Sequence, residues 1–365
     1  MPLSQVKPEN YAAILAEKVA EKQLLLAGLD LPEPQIFSSQ PLHYRMRAEF
    51  RVWHEEEQLN YAMFRAGEPN TPLYINEFPI ACEAITELMA PLRDYLAAEP
   101  TLRHKLFQIE FLSTSQREIL VTLIYHRQLD EQWQTAAIKL KEHFGIHLIG
   151  RARKQKISLD QDFVTETLVI NGRPWQYRQN EGSFTQPNAE VNTKMIEWAM
   201  SCSENSEGDL LELYCGNGNF TLPLATRYNN VLATEISKSS VAAAKTNMEV
   251  NHIDNITILR MSSEELTQAM NGEREFRRLR DIDLTDYSFS SVLVDPPRAG
   301  LDDGTIALVQ GFERIIYISC NPETLRNNLL VLGESHEVKA FTYFDQFPYT
   351  HHMECGVLLC KRSAD

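Results

Sequence analysis

The chain has no apolar run approaching the roughly 20 residues that a helix needs to cross a bilayer, and its opening, MPLSQVKPEN, lacks the basic-then-apolar pattern of an export signal. These two absences predict a cytoplasmic protein. The six cysteines, at 82, 202, 215, 320, 355 and 360, show neither C-x-x-C spacing nor the density of a disulfide scaffold, so reduced thiols are expected. Internal repeats and low-complexity segments are also missing. Cations are in the minority: 35 Lys and Arg against 50 Asp and Glu give a net charge of −15, which as a bulk number opposes a nucleic-acid partner because phosphates repel an acidic surface. What remains is an ordinary globular composition, 43% apolar and 23% charged over 365 residues. At about one domain per 150 residues, it predicts two domains.

The charge is unevenly distributed. Residues 101–156 hold ten basic side chains against five acidic ones, a net of +5 that leaves −20 for the rest. Upstream, HYRMRAEFRVWH at 43–54 alternates Arg45, Arg47 and Arg51 among aromatics, with Glu49 between two of them. On a strand this spacing puts the arginines on one face. YAAILAEKVAEKQLLLAGL at 11–29 has the period of an amphipathic helix closed by Gly28. Strand-like FQIEFL, EILVTLIY and HLIG surround the helical DEQWQTAAIKLKEHFG, which predicts an α+β module over residues 1–175. Over 176–365, strand-like runs alternate with helical segments: DLLELYC, NVLATEI, ITILRM, SVLVDPP and RIIYISC, then VKAFTYF and ECGVLLC with no room for a helix between them. Such an order predicts a Rossmann-like, doubly wound parallel sheet with an antiparallel closing hairpin.

Four places at the ends of those strands carry chemistry. The first strand runs into Cys215-Gly216-Asn217-Gly218-Asn219-Phe220, and Glu235 follows Gly216 by nineteen residues at the end of the second strand. Glycines that let a backbone approach a ligand, followed by an acid for ribose hydroxyls, are the logic of a nucleoside site. The third glycine of the dinucleotide fingerprint is missing, which favours a ligand without a pyrophosphate, such as S-adenosylmethionine, over a nicotinamide cofactor. The fourth strand ends in Asp295-Pro296-Pro297-Arg298, where two prolines hold the carboxylate rigidly beside the pocket. Cys320 ends the fifth strand just ahead of Asn321-Pro322, a cap and first-turn signal; the amides and dipole of a helix amino end are expected to lower its thiol pKa. Glu354 opens the last apolar strand, where burial is expected to raise its pKa and suit it to take and return protons. The adjacent His351 and His352 are expected to point to opposite strand faces with no third ligand at useful spacing, so no metal is expected.

Together GSFTQPN at 182–188, ELYCGNGNF, VDPPRAGL, YISCNPETL and THHMECGVLL resemble the S-adenosylmethionine-dependent RNA uracil-C5 methyltransferases. The stretches HYRMRAEFRVWH and RHKLFQIEFL resemble the tRNA-modifying branch, so the likeness spans nearly the whole chain. It implies a class I methyltransferase fold behind an RNA-binding module, with Gln186, Tyr214, Gly216, Asn219, Glu235 and Asp295 at the cofactor. It implies Cys320 as nucleophile, Glu354 as base, and Asp295 with Arg298 at the uracil edge. The implied substrate is uridine-54 in the T-loop of tRNA, bound as a flipped nucleotide through its T-arm by a monomer, with Arg45, Arg47, Glu49, Arg51 and Phe107 on the RNA. The chain departs from many relatives in carrying Glu212 rather than Asp before the glycine loop. It has no amino-terminal four-cysteine cluster and no extra small β-barrel, which favours tRNA over ribosomal RNA and speaks against an iron–sulfur group. Methylation of ribosomal RNA, which needs the same catalytic residues, and a non-catalytic tRNA-folding chaperone, which needs neither Cys320 nor Glu354, are the alternatives.

Overall fold

The computed structural model describes residues 6–65, 67, 68 and 70–363. In chain order, helix α1 (Tyr11–Leu25) and strand β1 (Gln35–Phe37) precede the hairpin β2 (Arg47–Glu55) and β3 (Gln58–Met63), the short β4 (Leu73–Tyr74), and helices α2 (Glu83–Ala98) and α3 (Pro100–Arg103). Strands β5 (Leu106–Ser113) and β6 (Ile119–Tyr125), helix α4 (Glu131–Phe144), then β7 (His147–Ala152), β8 (Gln155–Ser158), β9 (Phe163–Ile170) and β10 (Arg173–Asn180) follow. The second half runs α5 (Ala189–Cys202), β11 (Asp209–Leu213), α6 (Thr221–Leu224), β12 (Val231–Thr234), α7 (Lys238–Asn251), β13 (Ile256–Leu259), α8 (Ser263–Met270) and β14 (Phe289–Val294). It closes with α9 (Asp303–Val309), β15 (Arg314–Ser319), α10 (Pro322–Leu332), β16 (His336–Phe344) and β17 (Glu354–Lys361).

One sheet has the order β1-β16-β17-β15-β14-β11-β12-β13. Strands β15, β14, β11, β12 and β13, which run from mid-sheet to one edge, are parallel, and β17 is antiparallel to both β15 and β16, as the alternation of runs requires. Strands β11, β12 and β14 carry almost unbroken apolar burial because helices cover both faces of a parallel sheet. A second sheet, β4-β3-β2-β5-β6-β7-β8, is mixed, with β6 and β7 parallel across α4, and β9 pairs with β10 in a separate two-stranded sheet. Asp130 caps α4 by accepting from the Trp133 amide, and Gly145 ends it in the left-handed region at φ 62°. Helix α2 and strand β3 have no counterpart in the sequence reading.

The chain forms two compact units, and neither is contiguous. The eight-stranded unit takes the residues up to Ser39, Leu168–Arg178 and the chain from Glu190 onward; the seven-stranded unit takes Gln40–Thr167 and Gln179–Ala189. The division at 175/176 therefore needs correcting at both ends. The amino-terminal helix belongs with the large sheet because β1 pairs in parallel with β16, Gln35 opposite Thr342 through Phe37 opposite Phe344. That helix also stops at Leu25, ahead of the turn that holds Gly28 at φ 87°.

Candidate active site

The chemistry-bearing residues of the eight-stranded unit converge on the carboxyl edge of its parallel strands. Leu213 is in register with Thr234 and with Val294, so the glycine loop, Glu235 and Asp295 leave the sheet side by side. The Glu235 carboxylate accepts the Gly216 amide at 3.1 Å and the Ser237 amide at 2.7 Å, each on a different oxygen. A carboxylate has about four lone-pair positions, so both oxygens keep capacity for a further donor. Gly216 is at φ 57° with no protein atom within 4 Å of where a Cβ would stand, so the space above it is open. Gly218, at φ 86°, sits in the left-handed region that favours glycine, and a Cβ there would also have to displace the Leu222 methyl 2.4 Å away. An acid beside an open glycine turn fits a nucleoside with free ribose hydroxyls.

Residues that sequence reasoning missed hold this loop. Asn219 and Asn192 exchange reciprocal amide hydrogen bonds at 2.8 Å, so the Asn219 side chain is committed to fixing the turn. Tyr177 donates to the Asn219 carbonyl at 3.1 Å, and Asn247 donates to the Asn217 carbonyl at 2.9 Å. Tyr214 is a non-glycine residue at φ 63°, a left-handed conformation that costs an ordinary side chain about 1 kcal/mol. Its hydroxyl lies 2.7 Å from Ser263 Oγ. Gln186 belongs to the seven-stranded unit, in a segment where the neighbouring Phe184 is 76% exposed.

Cys320 and Glu354 meet through strand register. Ser319 of β15 is opposite Cys355 of β17, which sets Cys320 and Glu354 side by side one residue beyond. Glu354 is 4% exposed and its carboxyl is pushed up to about 8 by burial, reinforced by Asp295 and opposed by Arg298 and Lys18. Asp295 is raised to about 7 by burial, and among the described residues no group hydrogen-bonds its carboxyl. The Arg298 loop is tied to the cysteine loop: its carbonyl accepts from Asn321 Nδ2 at 3.0 Å and Thr324 Oγ1 at 3.2 Å, while its guanidinium is exposed beside His352.

Two expectations fail here. The Cys320 thiol is raised to about 11, first by burial and then by the facing Glu354 and Asp295, against Arg298. Proximity to a helix amino end does not lower it because Cys320 precedes the cap, and Asn321 itself accepts the Glu323 amide at 3.1 Å. The two histidines do not point to opposite faces of a strand, because they precede β17 and their rings pack 4.0 Å apart. His352 is lowered to about 4, chiefly by burial, and is neutral at pH 7. Among the described residues no group of three or more His, Cys, Asp or Glu could hold a metal.

Under the loop, Glu212 is 1% exposed, its Oε2 has no hydrogen-bond partner, and burial raises its carboxyl to about 8. With Asp295 and Glu354 it makes three carboxyls whose folded pKa lies above the ordinary values, 3.8 for the aspartate and 4.5 for the two glutamates. The native state then binds more protons than the unfolded state between about pH 4.5 and 8, so stability falls as pH rises across that window. Glu212→Gln is expected to flatten this decline by on the order of 2 kcal/mol, read as melting temperature against pH; an unchanged slope would show that Glu212 is ionised in the fold.

On the seven-stranded unit, the face of β2 alternates as its spacing predicts, with Arg47, Glu49 and Arg51 outward and Ala48, Phe50 and Val52 buried. Arg45 is an exception. The strand begins at Arg47, and Arg45 bends back to donate to the Arg47 carbonyl at 2.8 Å, while Arg47 donates to the Ser183 carbonyl at 2.8 Å. Glu49 is opposite Glu110 of β5, so an acidic pair interrupts the arginine stripe. Phe107 falls at a register shift between Leu106 and Gln108. The ring lies between Arg51, whose guanidinium is 3.9 Å from its centroid, and His126, stacked at 3.9 Å. His126 carried no signal in the sequence. The basic excess of 101–156 is neutralised locally: Arg151 and Lys156 pair with Glu181, Lys141 with Asp160, and Arg117 with Glu83 and Glu87. The folded unit carries 15 Lys and Arg against 19 Asp and Glu, a net of −4, so it is not a basic module.

The family model described as tRNA (Uracil-5-)-methyltransferase matches residues 10–362. The tRNA/tmRNA (uracil-C(5))-methyltransferase of Vibrio cholerae is 54% identical over 369 residues, covering 99% of this chain and 100% of the relative. The same-named protein of Stutzerimonas stutzeri is 55% identical over 362 residues, with the same coverage. Among solved structures, Pyrococcus abyssi tRNA (uracil-54, C5)-methyltransferase in complex with S-adenosyl-L-homocysteine superposes with a TM-score of 0.73 at 20% identity, covering 96% of this chain and 83% of that one. At that identity the likeness speaks to the fold.

Proposed function

Because the chain belongs to the tRNA (uracil-5-)-methyltransferase family, we propose that it transfers a methyl group from S-adenosylmethionine to C5 of uridine-54 in the T-loop of tRNA, through a covalent bond between Cys320 and C6. The observation that carries this reading is the register that sets Cys320 beside Glu354, with Asp295 facing both. S-adenosylmethionine supplies an electrophilic methyl group on a sulfonium. Glu235, the Gly216 turn, Tyr214 and Asp295 would hold it. Tying the loop to Asn192, Tyr177 and Asn247 fixes the turn before any ligand arrives.

Uracil C5 is too weak a nucleophile to displace a methyl group unaided. Adding the Cys320 sulfur to C6 turns the ring into an enolate with nucleophilic C5. Because burial holds the thiol proton tightly, attack must be coupled to its transfer to the facing Asp295 carboxylate, which returns it when the sulfur leaves, and Glu354 stays free for the C5 proton. Asp295 at the ring edge and the Arg298 guanidinium at the developing oxyanion favour the adduct over free uracil. After methylation, Glu354 removes the C5 proton, and the sulfur leaves with the electrons released at C6. A carboxyl raised to about 8 is a stronger base, once ionised, than an ordinary glutamate.

The target base must leave its stack to reach this edge. The Arg51, Phe107 and His126 stack offers the outer faces of its guanidinium and its imidazole to an unstacked RNA base, with the Phe107 ring as their support. With a unit charge of −4, docking rests on such local contacts rather than on bulk attraction. Phe107→Ala is expected to weaken tRNA binding by roughly 10- to 100-fold, the worth of one stacked base, without changing its salt dependence. Arg51→Ala should lower the salt slope by about one. Equal tRNA affinities for both variants and wild type would remove this face from the RNA site.

The relatives' names pair tRNA with tmRNA, and tmRNA is expected as a second substrate. A tRNA transcript with cytidine in place of uridine-54 tests the position. We expect no methyl incorporation into it, and incorporation at the unmodified rate would refute the site. Labelled ribosomal RNA in the same assay separates the alternative substrate.

A further inference from the structure

The buried stripe of α1 contains Tyr11, Leu15, Lys18, Val19 and Lys22, so a helix turned inward carries two lysines on its packed face. A cation is buried only where it is paired and hydrogen-bonded. Lys18 meets that condition: Nζ donates to Asp345 Oδ1 at 2.6 Å and to the Phe347 carbonyl at 3.1 Å, with the two side chains 5% and 1% exposed. Tyr11 donates to the other Asp345 oxygen at 2.7 Å and accepts the Ser39 amide at 2.9 Å. The Asp345 amide donates to the Phe37 carbonyl at 3.0 Å. All these groups lie within the eight-stranded unit.

Asp345 immediately follows β16, whose last residue, Phe344, is the register partner of Glu354. The segment 345–353 that leads into Glu354 is therefore fastened to α1 at Asp345 and Phe347, and again where the Tyr11 and Tyr349 rings meet at 5.8 Å. We propose that α1 is part of the catalytic apparatus: Lys18, locked onto Asp345, is a positioning residue that fixes the segment presenting Glu354 and supplies a positive charge toward its carboxylate. This rests on the reading of Glu354 as the base.

The groups facing Glu354 are Asp295 and Arg298 from the β14 loop, Cys320 from the end of β15, Lys18 from α1, and its own neighbour Cys355. Asp295 disfavours ionisation, whereas Arg298 and Lys18 favour it. Arg298, although exposed, acts more strongly on Glu354, and Lys18 adds to it from an enclosed position. Removing Lys18 leaves Asp295 less opposed, and Glu354 then ionises at higher pH.

The test is the release step, followed as decay of the covalent protein–tRNA complex on denaturing gels across pH 6 to 10. In Lys18→Met, release at pH 7 is expected to slow roughly two- to fivefold and its inflection to move up by less than about one pH unit. Complex formation and cofactor affinity should be retained, and Lys18→Arg should restore the profile. An unmoved inflection in a folded Lys18→Met protein would overturn the proposal. If that variant melts early because Asp345 is left unpaired, Lys18→Gln, which removes the charge but keeps a donor for Asp345, is read the same way. Glu354→Gln separates the two claims. If it releases RNA cleanly, the base reading fails; if it holds RNA at every pH while Lys18→Met behaves as wild type, only the role of Lys18 fails.

Discussion

Replacing Cys320 by Ala is expected to abolish methyl transfer to tRNA, by at least about 10³-fold in turnover, the order of loss when a covalent nucleophile is removed. Binding of S-adenosylmethionine should be unchanged, because the glycine loop and Glu235 are held by Asn192, Tyr177, Asn247 and Ser237. The variant should fold, since Cys320 is only partly buried and its neighbours bond through backbone and Asn321. The measurement is methyl incorporation alongside cofactor affinity. Undiminished turnover would remove Cys320 from the reaction, whereas loss of both turnover and cofactor binding would place it in the fold. Cys355, 0% exposed on the adjacent strand, is the control, and Cys355→Ala should retain transfer.

Glu354→Gln is expected to give the opposite phenotype, accumulation rather than absence. The adduct forms and is methylated, but the C5 proton has no acceptor, so protein remains covalently bound to tRNA on a denaturing gel. In the proposed mechanism the release step depends on the carboxylate, and a carboxyl raised to about 8 ionises as pH climbs toward and past 8. Release should therefore quicken from pH 6 to about 8.5 and then level off, the reverse of the stability trend set by the same burial. Rapid clean turnover by Glu354→Gln would assign proton removal to another group.

The large sheet was legible because a parallel sheet covered on both faces writes its strands as apolar runs, and because each chemical motif stands at a strand end. The order of runs led to the antiparallel hairpin, and that hairpin sets Cys320 beside Glu354. Strand β1 was not legible, since three residues, QIF, with one partner strand leave no periodicity. Nor was the membership of α1 in this unit, which depends on Lys18 finding Asp345 some 327 positions away. The charge of the seven-stranded unit misled for a related reason. A window of 56 residues over 101–156 counted basic side chains whose acidic partners, Glu83, Glu87, Asp160 and Glu181, lie outside it. The Cys320 thiol was misjudged because the helix start is visible in Asn321-Pro322, while the two carboxyls that face the sulfur arrive from other strands.

The bulk charge of −15 and the local charge of −4 leave the identity of the RNA to shape and to the pocket. The most direct test of uracil-C5 methylation at one tRNA position is to incubate the enzyme with bulk RNA and cofactor labelled in its methyl group, then digest the RNA and map the labelled nucleotide by mass spectrometry. The expected result is label in 5-methyluridine at position 54 of tRNA, and none in ribosomal RNA. Label on another base, at another tRNA position, or in ribosomal RNA alone would contradict it.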